Sequence, residues 1–396
     1  MKRHALPPPP ALDFDITLDF DDEQPPTPTA PPHSTQLFGS IDSALAAIAP
    51  QGSTLTVIGY ADTERFARRG YRLVDRDADI TAVRGGVEDC ERARRITRGK
   101  LVVQPTEDFG GAVLPSYLAR DGAFFTVKHG VRPHAAVFDE NDPPECLAAA
   151  FGEIATLELR AFDHSFGQML RGNRVPREMI SVAAKIVSDA TAALKNREKD
   201  ARHAAHAIAD GARRVAETMR AYPELRFSSG ATQIATALRM LCTAESRNTC
   251  RRGEAEMLLS RYVTELYMKN ICGAPSLFPP DYNRHTECVC KYFGGDPARS
   301  CIYAARVLSP EELRLREYRC REFRDEYIRD LAALRERLNA AFAVFKRLYR
   351  DDGFGLSKLL DSVDVGICTA VAPDVFPADT ALTHFKHTGL LEKYLI

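Results

Sequence analysis

The sequence predicts an α/β sheet domain followed by an all-helical domain, and three observations carry that reading. Short apolar, β-branched runs alternate with helical stretches between residues 36 and 143. After Pro143 and Pro144 the strand patterns stop, and residues 145–220 become rich in Ala, Arg and Glu at helical spacing. Residues 1–35 hold Pro7 to Pro10, Pro25, Pro26, Pro28, Pro31 and Pro32 and stand apart from both. Strands that are apolar along their whole length, with helices between them, indicate a parallel sheet covered on both faces.

Taken in order, residues 1–35 read as a disordered or extended tail. Proline fixes φ and removes donors, and an acidic cluster from Asp13 to Glu23 adds charge. Within it the alternation from Phe14 to Leu18 allows a short strand or docking segment. Ile41 to Ile48 reads as a short amphipathic helix. Strands follow at Leu55 to Ile58 ending at Gly59, Ile80 to Val83 before Gly85 and Gly86, and Leu101 to Val103 before Pro105. Phe124 to Val127 and Ala135 to Phe138 come next, and Cys90 to Arg98 is helical. The strand ends at Gly59, Val83, Val103 and Phe138 are expected in one mostly parallel sheet. In the helical half, Ser309, Pro310, Glu311 and Glu312 are a strong helix start: a capping hydroxyl, proline in the first turn, and acids at the positive dipole end. The helix is expected to run to about Tyr349. Its stripe of Phe323, Tyr327, Leu331, Leu334, Leu338, Phe342, Phe345 and Leu348 reads as a core face in preference to a coiled-coil seam. The expected organisation is therefore a tail at 1–35, a sheet domain at 36–143 and a helical domain at 144–396.

Composition bounds the function. The chain has 396 residues, 45% of them apolar, enough for a large core and two domains. With 53 basic against 54 acidic residues and a net charge of −1, it is built neither as a nucleic-acid clamp nor as a polybasic membrane binder. Mean hydropathy is −0.26, and no run approaches the roughly 20 apolar residues that cross a bilayer. The basic start runs into prolines and aspartates, not an apolar stretch, so no secretory signal is expected. The ten cysteines then read as reduced thiols, and the expected location is cytoplasmic. The expected partner is a small molecule, with no nucleic acid or membrane; a homo-oligomer is left open.

Several constellations hold residue types suited to chemistry. His285, Cys288, Cys290 and Cys301 place soft ligands close together, as zinc likes, but C-x-C is a poor zinc spacing and no second paired knuckle exists. His203 and His206, three apart on an Arg-rich helix, read as a solvated face. His384 and His387 have the same spacing. No Gly-x-Ser-x-Gly elbow and no Walker loop occur.

The strand ends are more informative. Val83, Arg84, Gly85, Gly86 and Val87 form a strand running into a glycine pair and then a helix. Such glycines let backbone approach a phosphate, and a helix N-terminus favours anions; a simple tight turn is the plainer alternative. A second edge follows at Pro105, Thr106, Phe109, Gly110 and Gly111, and Pro133 to Asp139 is a strand ending in an acid. Phe151, Gly152 and Glu153 then open the helical half, with Asp163 on the same segment. This order resembles the superfamily of iron-containing alcohol dehydrogenases and glycerol-1-phosphate dehydrogenases, which includes the dehydroquinate synthases. Ser228, Ser229 and Gly230 resemble its Ser-Gly helix, which carries one metal-binding His. Arg251, Arg252, Gly253 and Glu254 resemble its His-Gly-Glu helix, which carries the other. The segment from Asp379 to Leu395 is similar to its closing segment.

The resemblance implies a Rossmann-like first domain, a ligand cleft between the domains, and hydride transfer between NAD or NADP and a carbon bearing a metal-polarised hydroxyl. It assigns cofactor binding to Arg84, Gly85, Gly86 and Thr106. The departures are as telling. Arg84 replaces the first glycine of the turn. Glu153, Ala237 and Arg252 stand at the metal-ligand positions, a degenerate set from which no metal binding is expected, and Arg252 is expected within salt-bridge reach of Glu153 or Asp163. Arg252, Asp163 and His384 become candidates for a substrate or phosphate. The chain thus reads as a divergent NAD(P)-dependent alcohol or polyol dehydrogenase-family protein. The alternatives are a non-catalytic relative that binds a nucleotide or phosphorylated ligand, and an unrelated zinc-binding α/β protein.

Overall fold

Six parallel strands form the frame on which the rest is built. The computed structural model describes residues 34–121, 124–173, 176–195, 200–244, 251–272 and 309–349. The segment Phe14 to Leu18, His285, Cys288, Cys290, Cys301, His384 and His387 lie outside the described residues. The strands are β1 (Gln36–Phe38), β2 (Thr54–Ile58), β3 (Arg72–Leu73), β4 (Ile80–Gly85), β5 (Lys100–Pro105) and β8 (Ala135–Val137), in the order β1-β8-β5-β4-β2-β3. Every pairing among them is parallel. The four strand ends expected in one sheet are therefore together, at its carboxyl edge.

The two faces follow from the side-chain alternation of a strand. Leu55, Ile80, Ala82, Val102 and Val137 bury against Ile41, Leu45 and Ile48 of α1 (Ile41–Ile48). Ile58, Val83, Leu101, Val103 and Ala136 face the other way and join Ala93 of α3 (Val87–Ile96) and the helical half in a second core. The short α2 (Glu64–Arg68) contributes Phe66 to the first.

One expected strand belongs elsewhere. Phe124 to Val127 lies in β7 (Phe124–His129), which pairs antiparallel with β6 (Ser116–Asp121) in a separate two-stranded sheet. Asp121 pairs with Phe124, so only two residues separate the paired ends in sequence, too few for a parallel crossover.

From Leu147 onward the described elements are helical: α4 (Leu147–Ala155), α5 (Leu157–Arg171), α6 (Glu178–Lys195), α7 (Ala201–Ala221), a 3-10 turn (Pro223–Arg226), α8 (Gly230–Ala244), α9 (Arg252–Cys272), α10 (Pro310–Glu322) and α11 (Arg324–Leu348). The expected single helix from Ser309 is thus two. Its start stands as read, with a complete capping box between Ser309 and Glu312. The chain then kinks at Phe323 (φ −98°, ψ 7°). Arg319 and Arg321 close the first helix while Asp325 and Glu326 open the second, so the charges suit two dipoles better than one. Tyr327, Leu331, Leu334, Leu338, Phe342 and Phe345 are buried and Leu348 partly so, so the stripe is a core face from Tyr327 on, while Phe323 at its start lies at the break and is exposed.

Helices α4 and α9 touch backbone to backbone. A Cβ on Gly152 would collide with the carbonyl of Gly253, and one on Gly253 with the carbonyl of Ala149. The two glycines allow this approach, and it brings their neighbours Glu153 and Arg252 into one buried space.

Candidate functional site at the carboxyl edge of the sheet

Two clusters meet the segment that leaves β5. The first lies in the interior between α4, α5, α9 and the loop at 106–111. Glu153 is 1% exposed, and its carboxylate accepts from the backbone N–H groups of Asp108 (2.7 Å) and Phe109 (2.8 Å). Arg252, also 1% exposed, donates from Nε to Glu256 (2.6 Å), from Nη1 to Asp108 (3.0 Å) and from Nη2 to the carbonyl of Arg226 (3.0 Å). Arg226 forks onto Asp108, with Nε at 3.0 Å from Oδ1 and Nη2 on Oδ2. Arg160 closes the set by pairing with Glu256. Three guanidiniums and three carboxylates thus share one dry space, and removing any member would strand a buried charge.

The electrostatics follow from who touches whom. Burial alone would raise Asp108, but Arg226 and Arg252 more than reverse it and hold it well below the usual carboxylate range. Glu256 is likewise lowered, because Arg160 and Arg252 outweigh its burial. Glu153 goes the other way. Burial pushes it up to about 7, against the pull of Arg160 and Arg252.

A divalent ion does not fit this donor set. Such an ion needs about three protein ligands with free lone pairs. Here the oxygens of Glu153 are taken by amides, and those of Asp108 and Glu256 by guanidiniums. Among the described residues no group of three His, Cys, Asp or Glu is placed to hold a metal. Ala237 lies in α8. The ion pairs of Arg252 run to Asp108 and Glu256, so the expected bridge to Glu153 or Asp163 is replaced. The reason is reach: Glu256 is one helical turn along on the same face, and Asp108 comes in from the loop.

Asp163 belongs to a different contact. It is 2% exposed and accepts from the Tyr267 hydroxyl (2.7 Å) and from the N–H of Gly230 (2.6 Å), the first residue of α8. Its carboxyl therefore sits at a helix N-terminus. Burial still pushes it up to about 7.

The second cluster lies at the turn from β4 into α3. Arg84 donates twice to Asp142, from Nε (2.9 Å) and Nη2 (3.0 Å), and approaches Glu145 at 3.5 Å. The Thr106 N–H donates to the carbonyl of Gly85 (2.9 Å), which ties the ends of β4 and β5 together. Gly85 and Gly86 form the turn, and carboxylates fill the space beside them. A Cβ on Gly85 would strike Asp89, and one on Gly86 would stand 2.6 Å from Glu107 Oε1. The same Glu107 oxygen accepts from the N–H of Val87 at 3.2 Å. As folded, the turn does not fit a diphosphate: the anion at the start of α3 is the chain's own.

The structure thus brings Arg84, Gly85, Gly86 and Thr106 to one edge, and Glu153 and Arg252 to the adjoining interior. It also shows residues that sequence reasoning missed: Glu107, Asp108, Arg160, Arg226 and Glu256. Only the Arg252–Glu256 spacing of four was a readable signal. Elsewhere, His206 pairs with Glu140 on the surface, as a solvated face would.

No protein-family profile matches the sequence, and no curated protein matches it. Solved structures do. NADH-dependent butanol dehydrogenase A from Thermotoga maritima superposes with a TM-score of 0.52 at 9% identity, over 92% of this chain and 96% of that one. An iron-containing alcohol dehydrogenase from Corynebacterium glutamicum gives 0.48 at 12% identity, over 92% and 94%. A maleylacetate reductase from a Rhizobium species gives 0.48 at 12%, over 89% and 98%. The fold is that of the butanol dehydrogenase, a Rossmann-like sheet followed by a helical half. Among the described residues, no helix is long and apolar enough to cross a membrane.

Proposed function

We propose that this chain is a non-catalytic relative of the metal-dependent dehydrogenases: a binding protein for a nucleotide or another phosphorylated small molecule. The observation that carries this reading is the buried cluster of Asp108, Glu153, Glu256, Arg160, Arg226 and Arg252. Metal-assisted hydride transfer needs an ion that polarises the substrate hydroxyl and an open coordination position. At Glu153 and Arg252 the chain supplies a guanidinium and spent lone pairs instead. Arg252 has its donors engaged by Asp108, Glu256 and a carbonyl, which also argues against its holding a substrate phosphate.

A phosphorylated ligand is favoured by position. The carboxyl edge of a parallel α/β sheet is where such folds bind ligands, and the butanol dehydrogenase that shares this fold is named as NADH-dependent. The catalytic reading, NAD(P)-dependent oxidation of an alcohol, polyol or glycerol phosphate, rests on the fold alone.

The deciding experiment is elemental analysis of the purified chain, with an NAD(P)-linked assay on butanol, glycerol and glycerol phosphates in the presence and absence of added Fe²⁺ or Zn²⁺. The expected result is well under one equivalent of metal and no metal-stimulated turnover. One equivalent that disappears in Glu153→Ala, or turnover that rises with added metal, would overturn the reading.

A further inference from the structure

The opposite edge of the sheet carries a cavity of its own. Strands β2 and β3 are parallel, so the segments that enter them meet at the amino edge. There the carboxyl ends of α1 and α2 flank a space of about 540 Å³, a volume typical of small-molecule sites. Two glycines shape its rim. Gly52 and Gly70 have φ of 88° and 87°, and the Gly52 N–H donates to the Gly70 carbonyl (3.1 Å), which ties the two entry loops together. The two walls differ in chemistry. Leu45, Ala46, Ala49 and Pro50 make one of them and bring no polar side chain. Leu45 and Ala49 are buried, and Ala46 is exposed, so small side chains on α1 leave the space open. The other wall holds Asp42, Arg68, Arg69 and Tyr71. Arg69 reaches Asp42 at 2.7 Å, whereas Arg68 reaches Asp62, outside the lining, at 3.0 Å. Each pair occupies one nitrogen of its guanidinium, which leaves further donors. The Arg68–Asp62 pair is solvent-exposed on both sides, so exchanging Asp62 for another anion costs little. Burial raises the Tyr71 hydroxyl above its ordinary value, so it keeps its proton as a donor. The helix ends here are carbonyl ends, which repel an anion with about half a charge each; the full charges of Arg68 and Arg69 outweigh them.

We propose that this amino-edge cavity binds a small organic anion, with its carboxylate or phosphate on Arg68 and an apolar body against Leu45, Ala46, Ala49 and Pro50. A guanidinium fork fits both kinds of anion. The body is apolar because the α1 wall has no polar side chain to meet a polar one. The cavity lies at the other edge of the sheet from Glu153 and Arg252, so the proposal stands apart from the reading of those residues.

The test titrates the full chain with 2-naphthoate and with 2-naphthyl phosphate, each read by its own fluorescence, which a chain without tryptophan leaves clear. The control ligand is 2-naphthol, which has the body without the anion. Both anions are expected to saturate one site per chain with a Kd below about 1 mM, and 2-naphthol to bind at least roughly tenfold more weakly. Arg68→Gln should weaken both anions on the order of tenfold, the loss of a hydrogen bond to a charged group. Ala46→Leu stands at an exposed helical position that accepts leucine, and its side chain should fill the space and abolish binding. Arg95→Gln, an exposed arginine on α3, should leave binding unchanged. Circular dichroism confirms that each variant is folded, and Arg68→Gln carries the test if Ala46→Leu is not. No saturation in the wild-type chain, equal binding of 2-naphthol, or wild-type affinity in Arg68→Gln or in folded Ala46→Leu would overturn the proposal. Metal content and turnover are separate readouts, so a failure of the non-catalytic reading is seen independently of this site.

Discussion

At φ 55°, Asp108 sits in the left-handed region that aspartate tolerates better than most side chains. The turn it makes lets adjacent acids serve different partners: Glu107 reaches Val87 and Arg239, while Asp108 reaches Arg226 and Arg252. The loop Thr106 to Phe109 therefore couples the helix edge to the buried cluster. The same scale holds a titration that the packing imposes. Asp163 is buried with Tyr267 and the Gly230 N–H, and its carboxyl is pushed from 3.8 up to about 7. Between those values the unfolded chain has released the proton and the folded chain retains it. The folded state then binds more protons, so this contribution to stability is complete below about pH 4 and is lost as pH rises through about 7. Asp163→Asn keeps an acceptor for Tyr267 and Gly230 and removes the titration. Relative to that variant, the wild-type chain should lose on the order of 3 kcal/mol between pH 5 and pH 8. Urea unfolding at the two pH values measures it, and parallel stability curves for the two proteins would refute the assignment.

At the scale of elements, α3 does two jobs. Its N-terminus faces the Gly85–Gly86 turn, and its third turn carries Arg94 into the interior. Arg94 donates to the carbonyls of Gly111 (2.6 Å), Leu114 (3.0 Å), Pro115 (3.0 Å) and Val131 (3.1 Å), so one guanidinium gathers the segment that leads into the β6–β7 hairpin and the one that leaves it. Arg94→Met keeps much of the apolar stem and removes the donor from the carbonyls of Gly111, Leu114 and Val131, while Pro115 keeps the Gly130 N–H. With each buried unsatisfied group costing roughly 1–3 kcal/mol, the variant is expected to lose about 3 kcal/mol or more in urea unfolding. Amide exchange should rise first across Ser116 to His129; a loss below about 1 kcal/mol, smaller than one such unsatisfied group, would show that other groups hold the hairpin. The role of Arg94 is not legible from the sequence, where it is one arginine beside Arg92 and Arg95 on a helix with basic residues in its last turn. The helices whose limits were readable are those with local chemistry at their ends, such as Ser309 with Glu312. The kink at Phe323 was written in the same language, basic residues then acidic ones, but the continuous apolar stripe masked it.

For the whole molecule, what sequence reading recovers is whatever repeats at short range. Strand runs, the glycine turn after Val83 and the change after Pro144 are local patterns, and together they suffice for the fold. The buried cluster is the opposite case. Asp108 and Arg226 are 118 residues apart in sequence, and Arg160 and Glu256 are 96 apart. A buried arginine has no local signature that separates it from a solvated one, so only the packed structure reveals it. The same packing joins the two halves. Ile58, Val83, Val103 and Phe138 from the sheet edge share one apolar cluster with Phe151, Ile154, Phe162, Leu259 and Phe345 from the helices. Within residues 34–145 that face is covered only in part, by Ala93 of α3 and by Phe109, Val113 and Leu114. Residues 34–145 alone would expose the rest of it to water, at about 25 cal/mol for each Å² of apolar surface. The fragment is therefore expected not to fold, and the full chain should lose β4, β5, α4 and α9 in a single transition. Hydrogen exchange at increasing urea reads this directly, because amides in one cooperative unit converge on one opening free energy. Strand amides in β4 and β5 that stay protected after α4 and α9 have opened would show that the sheet stands on its own.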